Sequence, residues 1–215
     1  MLQSLQTALA ELYEIKAPCN VEDFLLTDAK HLQPLLGSNH HREPREQLLV
    51  AKCGDTALVT LYIDESVLHT LETNQNNHCV TRDVLNAYCL AIEGISHFLY
   101  TTWRAHHDCN ITQLELELQA EIDKYLYLSQ MLTGQNSEML HQLHKIIFDD
   151  AELHGNLNAI ELHRYGTANR YAAKYCNAFK FEIAATGLQP SRINELRRFY
   201  RMTQYEKLRV IDRLN

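Results

Sequence analysis

Glycine and proline are scarce in this 215-residue chain, which contains 7 and 4 of them respectively. So few glycines leave the chain poor in the tight turns that cradle phosphates and other ligands. No GxSxG elbow, phosphate-binding glycine loop or catalytic-cysteine signature is present. The sequence therefore contains no complete catalytic signature of these kinds.

The chain also lacks long apolar runs, a basic leader and paired cysteines. Its first residues, "MLQSLQTALAELYEIK", mix polar and apolar side chains at helical spacing, unlike a signal or transit peptide. The apolar runs are too short to cross a bilayer, so we expect no membrane partner. The six cysteines form no CxxC pair, which favours reduced thiols over a zinc knuckle or a disulfide framework. These features together predict a cytoplasmic protein.

Charge is distributed unevenly along the chain, whose formal net charge is −7. From Ser191 onward, seven basic and three acidic residues give +4, so the remainder carries −11. Arg197, Arg198 and Arg201 are predicted to form a basic surface beside tyrosine and phenylalanine, a combination that can grip phosphates and stack on bases. Because the rest of the chain is acidic, we expect internal docking or an acidic protein partner, and consider nucleic acid unlikely.

Periodicity predicts a β-hairpin followed by helices. Residues 47–63, "QLLVAKCGDTALVTLYI", contain two β-rich runs around a Gly-Asp turn signal. A short helix capped by Thr27 is expected before the hairpin, and one long helix after residue 158 is expected to end before Gly187. The predicted fold class is α+β, predominantly α, with about five main helices in a bundle. We expect one domain over 1–215, in which 1–80 carry short helices and the hairpin and 81–215 form the bundle.

Two long helices hold the polar residues of most interest. Thr81 opens one that runs to about His106, and Thr112 with Glu115 forms a capping box for the next. On a helical wheel the first helix is apolar on two sides, which predicts that it is buried. The second of these sides contains small residues such as Gly94, which would let a backbone or a ligand approach closely.

Glu93 and His97 lie one turn apart on the first long helix, and Glu121 falls on the core side of the second. Counting outward from the loop near Cys109 places His97 and Glu121 at the same level of two antiparallel helices. One interpretation is a structural network in which these three side chains satisfy one another, with Glu117, Arg104 and Asn169 as further members. The set of six is Glu93, Arg104, His97, Glu117, Glu121 and Asn169.

A second interpretation is a metal site resembling the di-iron or manganese centres of helical bundles, with Glu93, His97 and Glu121 as ligands. The Glu-x-x-His spacing typical of such centres occurs only at Glu138 and His141, while Asp150 and His154 offer another weak pair. A third interpretation is acid-base or hydrolytic work by Glu93 and His97 alone.

Two functions follow from these patterns. The first is a cytosolic, non-catalytic interaction or regulatory protein without a cofactor. It would bind a protein partner, or self-associate through the hairpin edge or the basic C-terminal helices. The alternative is a helical metal-dependent enzyme that uses iron or manganese. The absence of a complete catalytic signature favours the first.

Overall fold

The computed structural model describes residues 1–36, 44–53, 56–77, 80–134, 136–150 and 157–214. Ten α-helices and a small three-stranded sheet lie in these ranges, which confirms a predominantly helical α+β fold, with more helices than the about five main ones predicted. The helices are α1 Leu2–Tyr13, α2 Ala29–Leu36, α3 Glu65–Asn77, α4 Arg82–His106, α5 Gln113–Leu132, α6 Ser137–His144, α7 Ala159–Asn177, α8 Lys180–Thr186, α9 Pro190–Arg201 and α10 Gln204–Asp212. The strands are β1 Leu25–Leu26, β2 Glu46–Cys53 and β3 Thr56–Ile63.

Helices α4 and α5 form the centre of the molecule, and their starts follow local capping. The Thr81 hydroxyl accepts a hydrogen bond from the Val84 amide, and the Thr112 hydroxyl accepts one from the Glu115 amide. The Glu115 side chain does not complete the predicted capping box, because it turns inward to Tyr100. Both helices bury side chains on more than one side, so elements pack around them in several directions.

The sheet has the order β1-β3-β2. Strands β2 and β3 are antiparallel from Glu46 opposite Ile63 to Cys53 opposite Thr56, as the hairpin pattern predicts. Strand β1 pairs in parallel with β3 at Leu61 and Tyr62 only. Sequence analysis missed β1 because two residues are too short to show an alternating pattern.

Two predicted helix boundaries are wrong. The helix expected to run unbroken to Gly187 divides into α7 and α8, although no glycine or proline marks the break. Phe179 leaves the helical conformation, with φ −133°, and its buried ring lies 5.4 Å from the ring of Tyr175. Burial of an aromatic ring therefore outweighs continuation of the helix. Helix α2 begins at Ala29, after Thr27, because the Asp28 carboxylate accepts a hydrogen bond from the Lys30 amide.

The base of the hairpin packs on α4, and Gly94 permits the close approach. A Cβ atom at Gly94 would lie 2.9 Å from Cδ1 of Leu61 and 3.0 Å from Cγ of Glu46. The sheet therefore fills the space beside Gly94, where the sequence predicted the close approach of a backbone or a ligand. Within the described ranges, no helix is long and apolar enough to cross a membrane.

Candidate functional site

Four of the six polar residues predicted from the sequence, Glu93, His97, Glu117 and Glu121, meet in a cluster between α4, α5, α7 and β2, which we call the His97 cluster. Its members are Glu46, Glu93, His97, Glu117, Glu121, Lys124 and Arg164. Nδ1 of His97 lies 3.6 Å from Oε1 of Glu46, and its Nε2 lies 3.4 Å from Oε2 of Glu117. Nε of Arg164 lies 3.4 Å from the other oxygen of Glu117.

Lys124 holds the remaining two carboxylates of the cluster. Its Nζ donates to Oε1 of Glu121 at 2.6 Å and to Oε2 of Glu93 at 3.1 Å. The three residues predicted as metal ligands therefore take different partners, since Glu93 and Glu121 share an ammonium group while His97 lies between Glu46 and Glu117. Counting residues from the loop predicts that His97 and Glu121 lie at the same level of the two helices. It does not predict the rotation of α5 about its axis, which turns Glu121 toward Lys124.

Electrostatics in the cluster favour charged forms of both cations. Burial disfavours the charged imidazolium, but the facing carboxylates of Glu117 and Glu46 outweigh it and raise the pKa of His97 well above its usual value. The pKa of Lys124 is also raised, because Glu121 and Glu93 outweigh the cost of burial. Burial raises the pKa of Glu46 and of Glu121, and the neighbouring cations partly offset this rise.

The members of the His97 cluster compensate one another's charge and fix β2 to the bundle. In the described part of the chain, no group of three or more His, Cys, Asp and Glu side chains is arranged to hold a metal ion. Glu138 and His141 lie on α6, where Nδ1 of His141 pairs with the Ser137 carbonyl at 2.6 Å. His154, the partner suggested for Asp150, lies outside the described residues.

A second polar cluster is buried more deeply and was missed by sequence analysis. We call it the Lys207 cluster, with members Tyr13, Ser96, Tyr100, Arg104, Glu115, Gln119, Asp123 and Lys207. Asp123 accepts hydrogen bonds from the Tyr13 hydroxyl, from Ser96 at 2.6 Å and from Gln119 at 2.9 Å. Tyr100 donates to Glu115.

Lys207 joins the two halves of this second cluster. Its Nζ donates to Oε1 of Gln119 at 2.8 Å and to the hydroxyl of Tyr100 at 2.9 Å, and it lies 4.5 Å from the centre of the Tyr100 ring. Because neither hydrogen-bond acceptor is a carboxylate, burial dominates and lowers the pKa of Lys207 to about 7. Burial likewise raises the pKa of Asp123 to about 6.

Arg104 and Asn169, the other two residues predicted for the polar network, lie outside the His97 cluster. Arg104 belongs to the Lys207 cluster, where its Nη2 donates to the Asn110 carbonyl at 2.7 Å and lies 3.5 Å from Glu115. Asn169 donates to the Phe148 carbonyl at 3.0 Å. Neither contact reaches Glu93, His97 or Glu121.

The predicted basic surface docks largely within the chain. Arg197 donates to the Leu12 carbonyl at 3.0 Å, and Arg201 donates to the Tyr13 and Glu14 carbonyls at 3.1 and 3.0 Å. These carbonyls end α1 and need donors, which the two guanidinium groups supply. Arg198, between them in sequence, is exposed.

The distal part of the hairpin is exposed to solvent, whereas the two polar clusters are buried. Val50 on β2 is 54 % exposed and Leu58 on β3 is 61 % exposed. Their neighbours Ala51, Lys52 and Ala57 are also exposed. β2 pairs with β3 on one side, and among the described residues no strand pairs with its other side.

Comparisons with known proteins return nothing: no family model, no curated protein and no solved structure matches the chain.

Proposed function

We propose that this chain is a cytosolic, non-catalytic interaction protein that self-associates by pairing the outer edge of β2 with β2 of a second copy. The observation that carries the proposal is the exposed edge of the hairpin. An edge strand presents a row of main-chain N–H and C=O groups that can pair with another strand. β3 offers a shorter alternative, because β1 already pairs with it at Leu61 and Tyr62.

The composition of β2 supports pairing through this edge. Exposed edges are usually shortened, interrupted by proline or protected by charges. β2 is eight residues long, and from Gln47 to Cys53 its one charged residue is Lys52. The exposed apolar side chain of Val50 lies within the same stretch, so pairing would also remove apolar surface from water.

A second copy suits this edge because the strand is compatible with itself. A two-fold axis near the middle of β2 makes the pairing antiparallel and isologous, so each copy presents the same segment to the other. Residues 47–51 carry no charge, and Lys52 of each copy would lie toward opposite ends of the pair. No like charges would then face each other across the axis.

The two buried clusters support a non-catalytic role. Their charged groups take partners inside the chain, and Glu46 at the start of β2 is held by His97. This anchoring presents the strand in a fixed orientation, which reduces the entropy lost on pairing. Four cysteines in the described part of the chain are free thiols, which supports a reducing compartment.

Light scattering of the purified protein over a wide range of concentrations tests the proposal. We expect a molar mass that rises toward twice that of one chain, and Val50→Lys should keep the protein monomeric because a lysine protects the edge. Phe181→Lys is the matched control, since Phe181 on α8 is 76 % exposed and away from the sheet. Leu58→Lys reports on the β3 edge and should leave the dimer intact. A wild-type protein that stays monomeric, or a dimer that survives Val50→Lys, contradicts the proposal.

The alternative function is the metal-dependent enzyme with iron or manganese bound by Glu93, His97 and Glu121. Its support is that buried Oε1 of Glu46 and Nε2 of His97 have no hydrogen-bond partner among the described residues, although carboxylate and imidazole are common ligands. Lys124 weighs against it, because its ammonium lies between the carboxylates of Glu93 and Glu121. Stoichiometric iron or manganese in untagged protein, lost in His97→Ala, would support the enzyme over the interaction protein.

A further inference from the structure

A basic surface lies where α7 packs against α10, and we call it the α7–α10 surface. It carries the exposed side chains of Arg170 and Lys174 on α7 and of Arg209 and Arg213 on α10. Each pair is four residues apart, so its members share one face of their helix. Lys174 joins the two pairs, because its Nζ donates to the Asp212 carbonyl at 3.3 Å, next to Arg213. This surface differs from the basic surface predicted on α9, which docks largely within the chain.

The three arginines of the α7–α10 surface keep their N–H donors available. Among the described residues, Arg170, Arg209 and Arg213 make no hydrogen bond and no ion pair. The less exposed arginines of the bundle differ, since Arg104 and Arg192 are paired with carboxylates. A guanidinium group presents a planar set of donors that fits a carboxylate through two parallel hydrogen bonds. The surface therefore offers unused binding groups for carboxylates.

Two tyrosine rings support the guanidinium groups. Cζ of Arg170 lies 5.3 Å from the centre of the Tyr171 ring, and Cζ of Arg209 lies 5.5 Å from the centre of the Tyr205 ring. A cation over an aromatic face is attracted by the ring. These contacts orient the two arginines before a ligand arrives, which reduces the entropy lost on binding.

Charge sets this surface apart from the rest of the chain. From residue 162 to residue 177, α7 contains no acidic residue. The acids of α10 are Glu206 and Asp212, and Glu206 is bonded to the amide and the hydroxyl of Thr203 at 2.9 Å. Four cations and two acids give +2, in a chain whose net charge is −7. Such a surface attracts a short anionic segment, whereas a long polyanion such as RNA extends past it and meets the acidic remainder.

We propose that the α7–α10 surface binds a short acidic segment of a partner protein, whose Asp and Glu carboxylates pair with Arg170, Arg209 and Arg213. Exposed ion pairs are individually weak and are screened by salt, so the complex is transient and sensitive to ionic strength. The surface lies on other elements than β2, so this inference goes beyond self-association and does not depend on it.

Fluorescence anisotropy of a labelled hexaglutamate peptide tests the proposal. We expect saturable binding at low ionic strength that weakens as salt is added, because the charges are exposed. A hexaglutamine peptide has no charged side chains and should not bind. Hexauridylate, a short RNA, should bind no more tightly than hexaglutamate, since the surface is expected to recognise carboxylates rather than bases.

Variants locate the site. Arg170→Gln combined with Arg209→Gln should weaken hexaglutamate binding by about fivefold or more, because each exposed ion pair contributes up to about fivefold. Lys30→Gln combined with Arg82→Gln is the matched control, since it removes the same charge from exposed positions on α2 and α4 and should leave binding nearly unchanged. Circular dichroism and light scattering verify that both variants fold and assemble as the wild type does, which separates this test from that of self-association. Absence of saturable hexaglutamate binding, tighter binding of hexauridylate, or equal losses in the two double variants would overturn the proposal.

Discussion

The ammonium of Lys207 in α10 lies 2.8 Å from the amide oxygen of Gln119 in α5, and both side chains are fully buried. These residues are 88 positions apart in sequence. The contact ties the C-terminal helix to the centre of the bundle, and it places a titratable group where water is excluded. Buried ammonium groups are costly, so this contact has a measurable effect on stability.

Lys207 should make stability rise with pH above neutrality. Its folded pKa of about 7 is below the usual 10.5, so between these values the unfolded chain binds a proton that the folded chain does not. The free energy of unfolding should therefore rise by at most about 1.4 kcal/mol per pH unit in this window through Lys207. Urea denaturation of wild type and Lys207→Met at pH 7 and 9 measures it. The difference between them should grow in favour of wild type, and a difference independent of pH contradicts a neutral buried amine.

His97 should have the opposite effect. Its folded pKa is raised by Glu117 and Glu46, so its stabilisation is complete below the ordinary value of 6.5 and is lost as pH rises toward the folded pKa. Wild type should exceed His97→Gln in stability most at pH 6 and progressively less at pH 7 and 8. The same urea series checks this, and an advantage that increases with pH would show that His97 is neutral in the fold.

Gly94→Ala should destabilise the protein although alanine favours helices. The added Cβ would lie 2.9 Å from Leu61 and 3.0 Å from Glu46, so the sheet must shift, at a cost of about 1 to 3 kcal/mol. Gly166→Ala in α7 is the control, because nothing lies within 4 Å of the new atom, and it should stabilise by about 0.5 to 1 kcal/mol. Thermal denaturation of both variants measures the contrast. Equal gains would mean that the hairpin does not pack on Gly94.

Arg201→Gln should cost about 1 kcal/mol of stability, because the Tyr13 and Glu14 carbonyls lose a donor. Arg198→Gln should change the free energy of unfolding by less than about 0.5 kcal/mol, since Arg198 is an exposed surface residue. Denaturant unfolding of the pair distinguishes docking of the basic helix from a free basic surface. Two variants of equal stability would favour the free surface.

Local patterns predicted much of the fold. The hairpin and the starts of α4 and α5 follow from short-range hydrogen bonding and periodicity. Two features could not be predicted from local patterns. The break before α8 depends on the packing of Phe179, and strand β1 depends on pairing between Leu25 and Leu61, which are 36 positions apart. Tertiary contacts override local propensity at both places.

The candidate site could be predicted only in part, because tertiary contacts decide which of its residues pair. Glu93, His97, Glu117 and Glu121 do share one cluster, but Glu46 from the hairpin and Lys124 decide how they pair. A signal for the Lys207 cluster was present: Glu115, Gln119 and Asp123 recur every four residues on a helix that is buried on several sides. Their partners come from α4 and from the more distant α1 and α10, and the whole fold sets how these helices approach.

The central claim, that β2 pairs with β2 of a second copy, is tested most directly by amide hydrogen exchange of the hairpin at low and high protein concentration. Exchange of the amides from Leu48 to Lys52 should slow as concentration rises, while those of α10, which packs against α7, should stay unchanged. Because pairing fills the unpaired edge with hydrogen bonds, the protection should disappear in Val50→Lys. Exchange in β2 that is independent of concentration would contradict the account.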